Sequence, residues 1–222
     1  MITIVIVDCY HLVRVGISRI LTDIGNFKVV GEANDGEEAV GIARKLKPKV
    51  ILIDVKTPGT DGIETTKKLL KIDSGFNIIA LGSCHDDVYA SRMIKAGAKG
   101  YITKKAPPEE LITSITLVMK GKFYVSNDVA HRLALDSVFG TDVKQSVFNQ
   151  LSERELQTAM MITRGLRAAK IADIFCISAK TVNSYRYRIF EKLHVNSDVE
   201  LAILAIKYKM FNIDELMSSA SR

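Results

Sequence analysis

Residues 165–193 read GLRAAKIADIFCISAKTVNSYRYRIFEKL and contain two short amphipathic patterns separated by a tight turn. In the first pattern, residues 167–175, apolar side chains recur at the spacing of one helix face. The second pattern begins at Ser178, whose hydroxyl can accept from the free backbone N–H groups that begin a helix. About three residues separate the patterns, which is the length of a helix-turn-helix connection. The stretch therefore predicts two helices joined in this way.

Basic residues dominate the same part of the chain. Residues 164–192 contain seven basic and two acidic side chains, a formal charge of +5 within a protein of +6 overall. The basic residues are Arg164, Arg167, Lys170, Lys180, Arg186, Arg188 and Lys192. Such a concentration of positive charge suits contacts with the phosphates of nucleic acid. The alternative is an ordinary helical hairpin with a solvated basic face, which does not explain the turn and the charge asymmetry together.

Several separated motifs agree in order and spacing with one family. They are the run LSERE at 151–155, Gly165, Ile171-Ala172, Ile177-Ser178, Thr181-Val182 and Lys192-Leu193. Through these motifs, residues 149–212 resemble the LuxR-type helix-turn-helix domain. In a helix-turn-helix, the second helix enters the major groove of double-stranded DNA.

The resemblance implies two kinds of DNA contact on the second helix. The base-facing positions are Asn183, Ser184 and Tyr187, and the phosphate-holding positions are Lys180, Thr181, Arg188 and Lys192. Asn183 can form two hydrogen bonds with adenine, whereas Tyr187 could instead lie along the sugar-phosphate wall. We assign Val182, Ile189 and Leu193 to the core, and Tyr185 stays open between core and contact.

The amino-terminal half alternates buried strand patterns with amphipathic helix patterns. Strands are predicted at residues 2–7, 27–31, 50–53, 77–81 and 100–103, with a helix after each. This alternation implies an α/β fold with a doubly wound parallel sheet. The functional crevice of such a sheet lies beyond the carboxyl ends of its strands. Asp8, Asp54, Gly82 and Lys104 all fall at those ends.

Residues 1–121 resemble the receiver domain of bacterial response regulators, with its flavodoxin-like (βα)5 sheet. The matching residues are Asp8, Asp54, Pro58-Gly59, Gly97-Ala98, Gly100-Tyr101 and Lys104. Residues 122–148 read as a polar linker with one helix predicted at 127–139, and residues 213–222 as a tail. The whole chain is similar to the NarL/FixJ class, and the run KTVNSYRYR at 180–188 is most like the GacA/UvrY-type regulators.

The resemblance implies a phosphorylation switch. It assigns Asp54 as the acceptor of a phosphoryl group from a sensor histidine kinase. It also assigns Asp8, Asp54 and the backbone carbonyl of Lys56 as ligands of Mg²⁺, which neutralises the developing phosphoryl charge. The switch positions that it implies are Lys104, Tyr101, Gly82, Ser83 and Cys9.

Two switch positions depart from the family pattern. Cys9 stands where receivers place a second acid, and a neutral thiol is a poor ligand for a hard ion. We therefore expect Mg²⁺ affinity to fall by at least about tenfold. Gly82 stands where receivers place the Thr or Ser that follows the phosphoryl group, so we predict weak or absent phosphorylation of Asp54. Two alternatives stay open: a working receiver in which water or Ser83 fills in, and a redox pair of Cys9 and Cys84.

These observations favour a DNA-binding transcription regulator that is not an enzyme. The first strand-helix turn, residues 8–12, has no glycine to cradle a phosphate, unlike the loops of nucleotide-binding enzymes. The runner-up is an interaction protein whose receiver titrates a kinase or regulator without useful DNA binding. No apolar run approaches the roughly 20 residues of a membrane span, and the start lacks a basic leader. We expect a cytoplasmic protein.

A second copy of the chain is an expected partner, because helix-turn-helix dimers bind paired half-sites. The last predicted helix, residues 198–210, is one candidate dimer surface. Its apolar residues could equally form the core of the small domain. A face of the receiver is another candidate.

Overall fold

The computed structural model describes residues 1–57, 62–82, 87–138, 147–148, 150–175 and 177–208. The chain divides into two units, Met1–Leu135 and Asp136–Arg222. Ser83 and Cys84, the pair Pro58-Gly59 and the tail predicted at 213–222 lie outside the described residues. Among the described residues, no helix is long and apolar enough to cross a membrane.

A parallel sheet of six strands, counted in the described residues, forms the centre of the first unit. The strands are β1 (Ile2–Val7), β2 (Phe27–Ala33), β3 (Val50–Asp54), β4 (Asn77–Gly82), β5 (Gly100–Thr103) and β6 (Tyr124–Val125), in the order β2-β1-β3-β4-β5-β6. The prediction of a doubly wound sheet is confirmed, and the observed strands end at the predicted residue or up to two residues later. The prediction missed β6, because two residues are too few to show a strand pattern.

Helices follow the strands along the chain. They are α1 (His11–Asp23), α2 (Gly36–Leu46), α3 (Gly62–Ile72), α4 (Asp87–Lys95), α5 (Pro108–Met119) and α6 (Asn127–Val138). The central strands are buried on both faces, as expected for a parallel sheet covered by helices. Ile6, Leu52 and Ile79, one from each of three neighbouring strands, are fully buried. The helix predicted at 127–139 is observed as α6.

The second unit contains, in its described part, the helices α7 (Glu153–Thr163), α8 (Ala168–Phe175), α9 (Ala179–Leu193) and α10 (Asp198–Lys207). Ser178 begins α9 as predicted, because its side chain accepts from the Thr181 backbone N–H at 3.1 Å. His194 ends α9 in a left-handed conformation, with φ at 54°. The three residues assigned to the core, Val182, Ile189 and Leu193, are buried.

The last helix both fills the core and presents an apolar surface. Leu201 and Ala205 on α10 are buried, whereas Val199 and Ile203 are 68% and 60% exposed. Within this unit, one face of α10 is therefore core and another is uncovered. The described helix ends at Lys207, and residues 209–222 lie outside the described part of the chain.

Candidate functional site

A lysine bridges two buried aspartates at the carboxyl edge of the sheet. Asp8 follows β1 and Asp54 ends β3, and they are 0% and 4% exposed. Lys104 follows β5 and places its Nζ 2.7 Å from Asp8 Oδ2 and 3.1 Å from Asp54 Oδ2. The structure thus brings together three of the residues that the sequence places at strand ends.

Backbone geometry holds the two carboxylates in place. Because β1 and β3 are parallel neighbours, the residues at their carboxyl ends leave the sheet side by side. The backbone N–H of Tyr10 donates to Asp8 Oδ1 at 2.8 Å, and that of Lys56 donates to Asp54 Oδ1 at 3.3 Å. Thr57 Oγ1 donates to the backbone carbonyl of Asp54 at 2.5 Å. Each aspartate is therefore fixed before any ligand arrives.

Arg14 supports the same edge and was missed by the sequence analysis. Its Nη1 donates to the backbone carbonyl of Asp8 at 2.7 Å, and its Nε pairs with Glu32 Oε2 at 3.0 Å. The residue is only 7% exposed. An arginine on an amphipathic helix normally lies in solvent, so the pattern gives no signal of this buried role.

The charges of this cluster shift each other's titration. Burial raises the pKa of Asp54, and the Lys104 ammonium opposes that shift without cancelling it. Burial acts to lower the pKa of Lys104, but the carboxylates of Asp54 and Asp8 outweigh it and the pKa is raised. Two carboxylates and one ammonium leave one formal negative charge. The edge therefore favours a cation.

The thiol of Cys9 borders the two carboxylates. Cys9 Sγ and one oxygen each of Asp8 and Asp54 all lie within 4.8 Å of one another. Burial first, and then the two carboxylates, raise the pKa of the thiol above its ordinary value. These surroundings therefore favour the thiol over the thiolate. Cys9 is partly exposed, so the cluster is open to solvent on this side.

Gly82 and Tyr101 share one space between β4 and β5. A Cβ built on Gly82 would overlap the hydroxyl oxygen and the ring carbon Cζ of Tyr101. The tyrosine is fully buried, at 0% exposure. It therefore occupies the volume that any side chain at position 82 would need.

The residues predicted to read DNA lie along α9. Lys180, Asn183, Ser184, Tyr187 and Arg188 are exposed, whereas Thr181, Tyr185 and Lys192 are partly buried. Tyr187 keeps 74% of its surface in solvent. Thr181 Oγ1 lies 2.8 Å from Ser178 Oγ, within the cap of the helix. This surface presents both cations and hydrogen-bonding groups to a ligand.

Lys192 has a partner inside the second unit. Its Nζ lies 2.6 Å from Oε2 of Glu155, which is buried. The same carboxylate oxygen accepts from the Ser152 backbone N–H at 2.7 Å, and Ser152 Oγ accepts from the Glu155 N–H, which completes a capping box. The start of the LSERE run is thus a helix cap joined to the end of α9.

Arg186 is likewise engaged. Its Nε lies 2.8 Å from Asp198 Oδ1 on α10, and its guanidinium lies 5.2 Å from the Phe190 ring centroid. The positive charge that the sequence shows in this region therefore includes side chains that hold the unit together. Lys180 and Arg188 are exposed on the surface of α9.

Comparisons with known proteins match both halves of the chain. Residues 4–116 match the family model described as response regulator receiver domain, and residues 149–205 match that of the bacterial regulatory proteins of the luxR family. The chain is 48% identical to the response regulator GacA of Pseudomonas viridiflava over 210 residues, covering 95% of this chain and 98% of that protein. It is 42% identical to the response regulator UvrY of Escherichia coli K12 over 218 residues, covering 98% and 100%.

Solved structures agree with these matches. A LuxR-family two-component response regulator from Aurantimonas sp. SI85-9A1 is 31% identical, with a TM-score of 0.60, and the match covers 62% of this chain and 99% of that one. The response regulator RcsB, in a structure of its DNA complex, is 25% identical with a TM-score of 0.58, and the match covers 91% and 96%. The chain belongs to the two-component response regulators that combine a receiver domain with a LuxR-type DNA-binding helix-turn-helix domain.

Proposed function

We propose that this chain is a transcription regulator whose receiver domain does not switch through phosphorylation of Asp54. The receiver instead keeps Tyr101 in the same buried position. The observation that carries the proposal is the tyrosine in the Gly82 space. In the observed position, the buried ring of Tyr101 fills the space that a side chain at position 82 would need, because protein interiors leave no room for both there. With glycine at position 82, no side chain displaces the Tyr101 ring from this space. Glycine also offers no hydroxyl, so a phosphoryl group on Asp54 could not attract one at position 82.

The residues at the edge of the sheet do not fit Mg²⁺, the ion that the receiver family implies. Mg²⁺ prefers oxygen ligands in an octahedral arrangement. Here Asp8 and Asp54 supply carboxylate oxygens, but Cys9 supplies sulfur at the third position of the cluster. Since Mg²⁺ is the ion that stabilises phosphoryl transfer in this family, a weaker Mg²⁺ site supports weak phosphorylation.

The DNA-binding role follows from the exposed side of α9. We propose that Asn183, Ser184 and Tyr187 face base edges in the major groove of double-stranded DNA. Lys180, Thr181 and Arg188 would hold phosphates, which fixes the register of the helix without reading sequence. For Lys192 the ion pair with Glu155 adds a structural role to the predicted phosphate contact.

A homodimer through α10 is the arrangement that we propose for binding paired half-sites. Val199, Ile203 and Ile206 are 68%, 60% and 41% exposed. They are four and three residues apart, so they form one stripe on the helix. Burying this stripe against a second copy would remove apolar surface from water.

A sensor histidine kinase is the partner that we propose for the receiver. Tyr10 and Leu12, which follow the Asp8 edge, are 65% and 83% exposed. The centroid of the Tyr10 ring lies 6.0 Å from Nζ of Lys104, which pairs with Asp54. Such a kinase would dock on these exposed side chains. A kinase that binds here without transferring phosphate would be sequestered by the receiver.

Phosphorylation and DNA binding are to be measured on the same preparation. The full chain is incubated with acetyl phosphate and Mg²⁺, its mass is measured, and its DNA affinity is compared with that of Asp54→Asn. We expect no stoichiometric modification and equal affinities for the two proteins. Ready modification that Asp54→Asn abolishes, together with a gain in DNA affinity, would contradict the receiver proposal. Absence of a mobility shift with any duplex would instead favour the interaction protein that only titrates a kinase.

A further inference from the structure

We infer that Asp8, Cys9 and Asp54 bind a divalent ion of the zinc type through two carboxylates and the Cys9 thiolate, in preference to Mg²⁺. The inference goes beyond the proposed function, since it concerns the ion that the cluster selects rather than what the receiver controls. This set of donor atoms contains a sulfur and does not match Mg²⁺, the ion that the family implies.

The geometry of the cluster suits such an ion. Zn²⁺ bonds to oxygen at about 2.1 Å and to sulfur at about 2.3 Å, so tetrahedral ligand atoms lie roughly 3.4–3.6 Å apart. The three donor atoms already lie within 4.8 Å of one another, and small side-chain rotations would close the remaining gap. Asp8 and Asp54 are fixed by backbone hydrogen bonds, whereas Cys9 is partly exposed and leaves an entry path for the ion.

The charges of the cluster distinguish the two ions. With Mg²⁺ and a neutral thiol, two carboxylates, the Lys104 ammonium and the ion sum to +1. With a thiolate in place of the thiol, the sum is zero. A buried cluster is most stable when its charges compensate each other. An ion that binds sulfur therefore restores the balance, and the thiol proton is released to solvent.

The chemistry of the donor atoms gives the same order of preference. Thiolate sulfur is a soft ligand that selects zinc-type ions, whereas Mg²⁺ takes oxygen ligands and retains much of its water. For the same site, affinities of first-row divalent ions rise from Mn²⁺ toward Cu²⁺, with Zn²⁺ and Co²⁺ above Mn²⁺. An ion held by Cys9 would also engage Asp54.

Cobalt is the probe for the test, because a bond between a thiolate and Co²⁺ gives a near-ultraviolet charge-transfer band. The chain also contains Cys84 and Cys176, so the titration uses the wild-type chain and the variant Cys84→Ser/Cys176→Ser. We expect the band in both proteins at one Co²⁺ per chain. Added Zn²⁺ should remove it, and a hundredfold excess of Mg²⁺ should not.

Two variants at position 9 complete the experiment. Cys9→Ser should lose the band, and Cys9→Asp should lose it while Mg²⁺ affinity rises by about tenfold or more. Circular dichroism checks that both variants fold, which is expected because Cys9 is partly exposed. A band that survives in Cys9→Ser, no band in the wild-type chain, or displacement of Co²⁺ by Mg²⁺ at equal concentration would overturn the inference. DNA binding is measured separately, so a failure here leaves the proposed regulator role untouched.

Discussion

Lys192 on α9 donates to the buried carboxylate of Glu155 on α7, with 2.6 Å between Nζ and Oε2. That carboxylate also accepts from the Ser152 N–H and so caps its own helix. Gln150 Nε2 donates to the backbone carbonyl of Lys192 at 2.6 Å, which adds a second connection between the same two regions. The end of α9 is therefore held to the start of α7 by a buried ion pair and by a hydrogen bond to its backbone.

Removing the lysine should destabilise the second unit. In Lys192→Met, the buried Glu155 carboxylate loses its charged donor, and we expect a loss of about 2 kcal/mol, typical of a hydrogen bond to a charged group. Urea unfolding followed by circular dichroism measures the change. Lys180→Met, at an exposed position on the same helix, is the control and should stay within about 0.5 kcal/mol. Equal stabilities for the two variants would refute a structural role for the pair.

The same pair makes stability depend on pH. Burial acts to raise the pKa of Glu155, but the hydrogen bonds from Lys192 and Ser152 outweigh it, so the pKa lies below the ordinary value of 4.5. A carboxyl with a lowered pKa in the folded state contributes stability above its unfolded pKa and loses that contribution as pH falls through the folded pKa. Unfolding from pH 7 to pH 3 should show this loss below pH 4.5. Glu155→Gln should reduce the acid dependence.

Phosphate contacts on α9 should act on every DNA sequence alike. Lys180→Ala and Arg188→Ala each remove one exposed cation, so binding should weaken uniformly and the salt slope should fall by about 1. Asn183→Ala should instead lose discrimination at one or two base pairs, about 1–3 kcal/mol, with an unchanged slope. Titrations of a specific and a scrambled duplex at several salt concentrations separate the two classes. Indistinguishable profiles for the three variants would refute this division.

A side chain at position 82 should expel Tyr101 from the interior. We expect Gly82→Thr to cost about 1–3 kcal/mol and to expose the tyrosine, which ultraviolet difference spectra and NMR detect. Gly41→Ala is the matched control, because a Cβ built on Gly41 meets nothing within 4 Å. Tyr101→Ala should relieve the cost of Gly82→Thr. If the two single changes add without coupling, the shared space does not exist in solution.

Two positions, 9 and 82, test the proposal that Asp54 is weakly phosphorylated. Cys9→Asp supplies the missing acid and Gly82→Thr the missing hydroxyl, so the double variant should accept a phosphoryl group on Asp54 in Mg²⁺. Intact mass after acetyl phosphate treatment measures it. A double variant that stays inert although it is folded would point to a further defect of the receiver.

The exposed stripe on α10 should control association. Ile203→Asp places a charge on a residue that is 60% exposed, so folding should be preserved while a dimer through this face dissociates. Analytical ultracentrifugation and binding to a duplex with two half-sites measure the effect. Leu46→Asp, at a residue that is 48% exposed at the end of α2, is the control. Unchanged association in Ile203→Asp would move the dimer surface elsewhere.

Most strands and helices could be predicted from the sequence, because the patterns that produce them are local and periodic. Apolar β-branched runs give the buried strands, and Ser178 marks the start of α9 through a hydrogen bond three residues along the chain. β6 has only two residues, which are too few to show an alternating pattern, so the sequence did not predict it. Its place beside β5 depends on tertiary pairing.

The cluster at the carboxyl edge of the sheet could be predicted only in part from the sequence. Strand ends place Asp8, Asp54 and Lys104 together, and the structure shows the contacts between them. The buried position of Arg14 and the ion pair of Lys192 depend on partners that are distant in sequence. The spacing of residues along the chain therefore does not predict either contact. That Tyr101 fills the space at Gly82 is likewise a relation across two strands, and the sequence shows only that the glycine is unusual.

The shared space of Gly82 and Tyr101 also constrains the order in which substitutions at these two positions can accumulate during evolution. A threonine that appears at position 82 first meets the ring and is harmful, whereas a smaller residue that appears first at position 101 leaves a cavity. Each single step is therefore costly even though the pair of changes is tolerable, which is sign epistasis between two neighbouring strands. With the ring in its present buried position, a return to threonine at position 82 also requires the Tyr101 side chain to move.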